Sequence, residues 1–308
     1  MPRRVQLPPE LLVEPFTVRR GSSAGLTRGR MRGADLSRPF TGIRTAMPPA
    51  DLLARCHAFA PRLRTTDAFS HVTAATLWAI PLPARLEWAS VVHVSAIGRG
   101  GRVRVTGVRG HQLSDRRTRV VIRHGLPATD AATTWLHLAG SLGMDDLVAA
   151  GDHLVLTPRN PEPGRPFASV AELFERLRGF RGPGARTARV AAQLVREGAE
   201  SRRETFLRLD LVRNGLPEPE LQSKILDDHG RFIGYGDLAY PEFKVLVEYD
   251  GQQHRTDAVQ YHEDGIRHDE LLAAGWKHIR VDKESPRFGQ LSAPVRARQA
   301  LHARGWRP

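Results

Sequence analysis

Cysteine is almost absent: Cys56 stands alone among 308 residues. An internal disulfide is therefore excluded, and a lone thiol suits a reducing compartment. Long apolar runs are missing too. The longest, such as VVHVSAI at 91–97, fall far short of the roughly 20 residues that a helix needs to cross a bilayer. The basic start, MPRRVQLPPELLVEPF, lacks the unbroken apolar stretch of a secretory signal, because Pro and Glu interrupt it. These absences predict a cytoplasmic protein without membrane contact. Lysine is also scarce, at 4 against 42 Arg. A GC-rich genome explains Arg standing in for Lys, but not a surplus of cations.

That surplus is unevenly placed. Residues 1–199 hold 29 Arg and no Lys against 15 acidic residues, or +14, whereas 200–308 hold 17 basic against 18 acidic, or −1. A cationic surface collects phosphates by releasing counterions, so the first two-thirds of the chain points to DNA as a partner. The hydrophobic content of 41% and charged content of 26% belong to a globular chain, and the length allows two cores.

Along the chain, 1–47 is rich in Arg, Gly and Pro with little periodicity, and reads as a basic, partly disordered arm. Residues 48–156 read as a mainly helical α+β domain. PADLLARCHAFAP and DAFSHVTAATLWAIPLP have helical spacing, the second ending at Pro81. Three β-like runs follow, VVHVSAI, VRVTGVRG and TRVVIRHG, and then helices in TDAATTWLHLAG and MDDLVAAGDHLVL. The proline-rich TPRNPEPGRP at 157–166 reads as a linker, and 167–199 as connecting helices. In 200–308, SRRETFLRLDLVRNG has Ser201 and Glu204 at capping-box spacing and stops at Gly215. LQSKILDD, RFIGYGDLAY and FKVLVEYD read as strands, Thr256–Ala274 as a helix and WKHIRV as a fourth strand. The order α-β-β-β-α-β describes an α/β layer with a mixed sheet.

YGDLAYPEFKVLVEYDGQQH at 235–254 carries the chemistry. Alternation puts Glu248 and Asp250 on one face of a strand. An antiparallel turn near Pro241–Phe243 brings Asp237 beside them. Carboxylates so close repel unless protons or a cation neutralise them. Hard oxygen donors suit Mg²⁺ or Mn²⁺ better than Zn²⁺. The plainer alternative is a surface hairpin whose Asp250–Gly251 pair makes the turn.

These residues resemble the PD-(D/E)xK restriction-endonuclease-like superfamily, closest to an uncharacterised family allied to the very-short-patch repair endonuclease. The resemblance covers about a third of the chain: the helix with Glu204, then Gly236-Asp237-Leu238, VEYDG with His254 three residues on, Asp264 and Arg267, and GWKHIRV. It implies Asp237 as bridging metal ligand, Glu248 as the second, and the Tyr249 backbone carbonyl completing the shell. The lysine usual two residues after the Glu is Asp250 here. That leaves Asp250 as a further metal ligand, and His254 as general base or holder of the scissile phosphate. Glu204 reaches the metal through water in the related enzymes, or serves only as a cap. Arg267 and Arg280 are candidate phosphate contacts. His262 and His268, six apart on one helix, lack zinc-ligand spacing, and Gly98, Gly100 and Gly101 lack the strand-to-helix setting of a nucleotide loop.

Residues 48–156 resemble, on softer motifs, the abortive-infection type IV antitoxin family, through DAFSHVTAATLWAIPLP and GLPATDAATTWLHLAGSLGMDDLVAAGDHLV. This implies a DNA-binding or interaction module and a partner protein from a defence or toxin–antitoxin operon. Trp78, Leu82, Trp135 and Leu136 are expected in the core. Arg102, Arg104, Arg109, Arg116, Arg117 and Arg119 are candidate nucleic-acid contacts. The expected function is Mg²⁺-dependent DNA endonuclease or nickase; the alternatives are a non-catalytic DNA-binding regulator of antitoxin type and an RNA-directed nuclease.

Overall fold

A computed structural model describes residues 5–87, 90–98, 100–114, 117–250 and 258–308, with backbone alone over 258–264. In chain order the elements begin with α1 (Pro9–Val13), β1 (Phe16–Thr17), α2 (Val18–Ser23), β2 (Ile43–Arg44), α3 (Leu52–Phe59), β3 (Asp67–Phe69), α4 (His71–Leu77) and α5 (Ala84–Glu87). Then come β4 (Val92–Ile97), β5 (Arg104–Val105), β6 (Val108–Leu113), β7 (Val120–Arg123), β8 (Leu126–Thr129) and α6 (Ala131–Leu138). α7 (Met144–Val155), α8 (Val170–Leu177), α9 (Ala185–Leu194) and α10 (Arg202–Arg213) follow. The chain closes with β9 (Glu220–Leu226), β10 (Phe232–Tyr240), β11 (Val245–Tyr249), α11 (Ala258–Ala273), β12 (Lys277–Val281) and α12 (Ala293–Ala303). The chain is thus mixed α/β.

It divides into two compact units, Met1–Gly143 with Ala171–Val190, and Met144–Val170 with Ala191–Pro308. This differs from the division read in the sequence. The segment expected as a linker lies within the second unit, where Arg165 donates to the His153 carbonyl at 2.5 Å and Arg159 pairs with Glu200 at 2.7 Å. Proline there fixes a packed path instead of an open one. The arm expected to be partly disordered is folded as well: Leu7, Leu11, Phe16, Leu26, Met31 and Leu36 form a small core. Their irregular spacing hides them from any test of periodicity.

The first unit is less helical than expected. Six strands form one mixed sheet in the order β5-β6-β4-β3-β8-β7. Of these strands, β3 lies where a helix was expected, and β8 falls largely between the run TRVVIRHG and the helix of TDAATTWLHLAG, where no element was expected. Asp67–Phe69 is a strand, and the helix starts only at His71, whose φ of 53° marks the change of direction. Trp78, Leu82, Trp135 and Leu136 are all buried, as expected. The indole of Trp78 donates to the Thr129 carbonyl at 2.9 Å, which satisfies its one polar atom.

Asp130 caps α6, accepting from the Thr133 amide at 2.9 Å, the Thr133 hydroxyl at 2.7 Å and the Arg119 amide at 3.0 Å. Asp130→Ala is expected to cost about 1–2 kcal/mol, the upper part of the range for a lost cap. Urea denaturation checks this, and a loss below about 0.3 kcal/mol contradicts it.

In the second unit a four-stranded sheet runs β12-β11-β10-β9, with β11 parallel to β12 and the other pairs antiparallel. One face packs Leu238, Tyr240, Val245 and Val247 against Leu207 and Leu211 of α10 and Ala297 and Leu301 of α12. The other packs Ile225, Ala239 and Leu246 against Leu271 of α11, Ala274 and Trp276. Alternation along each strand divides the two faces, so the parity of a residue tells which helix covers it.

Candidate active site

A 3-10 turn over Pro241–Phe243 and Lys244 at φ 46° join β10 to β11. The register Leu238↔Val247, Ala239↔Leu246, Tyr240↔Val245, continued by one residue, sets Asp237 across from Glu248. Both share the face of Ala239 and Leu246, beneath α11. The amide of Tyr249, the last residue of β11, donates to Asp237 Oδ2 at 3.2 Å.

Glu248 is tightly held. Arg267 from α11 binds it with both terminal nitrogens, at 2.7 Å to Oε1 and 3.1 Å to Oε2. His278 Nε2 on β12 lies 2.7 Å from Oε2. Burial alone raises this carboxyl, but hydrogen bonds from His278 and Arg267 and their charges outweigh it and hold it at about 2. Arg267 also donates to the Tyr235 carbonyl at 2.7 Å. A Cβ on Gly234 would stand 2.7 Å from Arg267 Nε, so the glycine lets the guanidinium cross the strand.

Asp237 has the opposite environment. Burial, then the charges of Glu204 and Glu248, raise its carboxyl to about 8. Among the described residues no ion pair holds it. Its donors are the Tyr249 amide and, at 3.5 Å, the side-chain amide of Gln222. Gln222 also donates to Glu204 Oε2 at 3.2 Å and so spans the two acids. Glu204 is both cap and site residue. Its amide donates to Ser201 Oγ at 3.1 Å, its carboxylate accepts from the Glu200 amide at 2.9 Å, and burial raises its pKa.

The expected cluster of three carboxylates is not assembled as read. Asp250 pairs with Arg280 at 2.6 Å, and its amide donates to the Val281 carbonyl at 2.7 Å. Among the described residues, the group of three His, Cys, Asp or Glu ligand atoms lying mutually within 4.8 Å is His71, His93 and His111. No three of Glu204, Asp237, Glu248 and Asp250 therefore meet so closely. The physical reason is local charge: Arg267 and Arg280, read as phosphate contacts, neutralise Glu248 and Asp250 instead. His254 lies outside the described residues, as does Arg116. Sequence reasoning missed Gln222 and His278. Only the parity of Gln222 with Lys224, and of His278 with Arg280, hinted at them.

A cavity of about 550 Å³ opens beside Tyr249, with Arg203, Lys283 and Arg287 in its wall. In the first unit, Arg104 and Arg109 are cross-strand partners in β5 and β6, and both are exposed. Like charges in that register destabilise a sheet unless an anion lies over them. Arg102, Arg117 and Arg119 are exposed too, with Arg117 donating to the Arg178 carbonyl at 2.5 Å.

Two curated proteins of Mycobacterium tuberculosis are similar to this chain, the uncharacterised protein MT2308 of strain CDC 1551 / Oshkosh and the uncharacterised protein Rv2248 of strain ATCC 25618 / H37Rv. Each is 28% identical over 269 residues, which is 86% of this chain and 93% of the relative. The similarity therefore reaches into both units. No family model matches the chain, and no solved structure matches it. No helix is long and apolar enough to cross a membrane among the described residues.

Proposed function

We propose that the second unit is a Mg²⁺-dependent phosphodiester hydrolase, a DNA endonuclease or nickase of the PD-(D/E)xK kind. The observation that carries this reading is Asp237, a carboxylate raised to about 8 by burial and then by the charges of Glu204 and Glu248. Such a group takes up either a proton or a cation at neutral pH. The donor set suits a hard divalent ion, since Asp237, Glu204 and Glu248 offer oxygen alone. Asp237 and Glu204 would hold it, with Glu248 and the Tyr249 carbonyl as further ligands. When bound, the ion supplies Lewis acidity for the phosphodiester and a lowered pKa for the attacking water.

The chain's own residues supply the rest. A guanidinium that grips a carboxylate with two nitrogens fits a phosphate in the same way, so Arg267 is the phosphate clamp once Glu248 turns to the cation. Arg203, Lys283 and Arg287 guide the nucleic-acid backbone into the neighbouring cavity. The cationic surface of the first unit adds affinity that falls with salt. Purified protein with Mg²⁺ or Mn²⁺ is expected to relax or linearise supercoiled plasmid, and Asp237→Ala and Glu248→Ala to lose this by at least about 100-fold. Cutting that survives both substitutions rules the site out.

A second reading has its own observation. Glu248 and Asp250 already have arginine partners, and the usual lysine is missing. A non-catalytic DNA-binding regulator, acting with a partner protein, is consistent with that. Such a protein binds DNA equally well in EDTA and shows no thermal shift with Mg²⁺.

A further inference from the structure

Histidines from four separate elements of the first unit converge: His71 opens α4, His93 lies on β4, His111 on β6 and His137 in α6. The parallel pairing of β4 with β6 brings His111 Nε2 to 3.1 Å from His93 Nδ1. The ring of His71 stacks on that of His111 at 3.8 Å and on that of His137 at 4.4 Å, so sharing an ion requires the His71 ring to turn edge-on from this stack. One ligand nitrogen from each of His71, His93 and His111 lies within 4.8 Å of the other two. In a tetrahedral site with bonds near 2.0–2.1 Å, two nitrogens stand about 3.3 Å apart. The 3.1 Å separation fits ligands sharing one ion; it equally fits an N–H···N hydrogen bond, and the two differ in what they bind.

We propose that His71, His93 and His111 form a transition-metal site, with Zn²⁺ the natural occupant and the fourth position open to solvent. An all-imidazole set selects zinc, copper or nickel and excludes Mg²⁺ and Ca²⁺. The three rings are half-buried, which leaves room for a water or an anion. A supporting shell is present. Ser70 precedes α4 but caps nothing; its hydroxyl lies 3.0 Å from His71 Nδ1 and accepts from Ser95 Oγ at 2.7 Å. Ser70 and Ser95 are fully buried. With Nδ1–H donating to the Ser70 hydroxyl, Nε2 keeps its lone pair for the ion. His71 pays for its position with a left-handed backbone, which a residue other than glycine adopts only when its surroundings require it. Burial, then neighbouring histidines and Arg109, keeps His71 at about 2 and His93 at about 4, and burial with Arg109 and Arg102 keeps His111 at about 4. All three are therefore neutral, the form that ligates. Arg109 opposes a bare dication but favours one carrying hydroxide or phosphate in its fourth position.

The test uses the full chain, stripped with a chelator and titrated with Co²⁺ and then Zn²⁺. The expected result is one equivalent of tetrahedral Co²⁺ per chain, read from its ligand-field bands and bleached by Zn²⁺, apart from any ion taken up by the all-oxygen donor set of the second unit. His93→Gln and His111→Gln should abolish the bands, while His302→Gln and Asp237→Ala leave them intact. Ser70→Ala should weaken Zn²⁺ binding about 10- to 100-fold. Zinc absorption spectroscopy on the loaded wild-type chain should count three imidazoles, and this readout does not depend on how the variants fold. Sub-stoichiometric zinc in the wild type, fewer than three imidazoles, or bands that persist in the His93→Gln and His111→Gln double variant overturns the site.

Discussion

Arg208→Met is expected to destabilise the second unit by about 3–5 kcal/mol, the cost of stranding one member of a buried ion pair. Arg208 on α10 and Asp152 on α7 are each 1% exposed, with Nη2 and Oδ2 3.1 Å apart. Arg208 also binds Glu218 at 2.7 Å and donates to the Leu194 carbonyl at 2.8 Å. Asp152 accepts from the Arg196 amide at 2.7 Å and the Thr205 hydroxyl at 2.8 Å. Methionine keeps most of the apolar stem, so the loss is of charge more than of packing. Burial already raises the Asp152 carboxyl, against the pull of Arg208. Without the guanidinium it rises further. A raised acid stabilises below its unfolded pKa and loses that contribution as pH climbs through the folded value. The penalty of Arg208→Met is therefore largest at neutral pH and smaller in acid. Asp152→Asn in the same chain should recover a substantial part of the loss by removing the stranded charge. Urea midpoints at neutral and acidic pH decide the matter: a loss under about 1 kcal/mol, or no recovery in the double variant, shows that the pair is not what holds α7 to α10.

That pair shows why some of the molecule is legible in the chain and some is not. Ser201 with Glu204, and Asp130 before α6, announce helix starts because capping is a contact between near neighbours. β11 announces itself as a short apolar run, VLV, and the turn at Pro241–Phe243 through proline. Asp152 and Arg208 are 56 residues apart, and each looks like an ordinary solvated charge on a helix. Glu248 is similar. Its position on a strand was readable, but its partners Arg267 and His278 come from two other elements, and choosing among 42 arginines needs the tertiary fold. The histidine group is the extreme case. Successive members of His71, His93 and His111 lie 22 and 18 residues apart in sequence, a spacing that matches no local ligand pattern, and only the β4–β6 pairing brings two of them together.

Asp237→Asn is expected to stabilise the second unit, and increasingly so as pH rises. The carboxyl has its folded pKa near 8 and an unfolded value near 3.9. Between these values the folded chain keeps a proton that the unfolded chain has released. Wild-type stability therefore declines with pH over that window, by at most about 1.4 kcal/mol per pH unit, and the whole penalty is in place above the folded pKa. Asparagine cannot ionise, so its stability lacks this slope. It still presents an oxygen to the Tyr249 amide, which now reaches Asp237 Oδ2 at 3.2 Å. The two proteins should thus be nearly equal near pH 4 and differ by several kcal/mol near pH 8, as measured by urea midpoints across the range. Mg²⁺ should raise the wild-type midpoint near pH 8 and leave the variant unmoved, because the ion replaces the proton that Asp237 has lost. A difference that does not change with pH means that Asp237 ionises normally in the folded chain. In that case the acid pair exerts no strain for a cation to relieve. If the slope appears without any response to Mg²⁺, the strain is real but serves a proton instead. If the slope and the response to Mg²⁺ both appear, Asp237 destabilises its own fold at neutral pH for the sake of its chemistry.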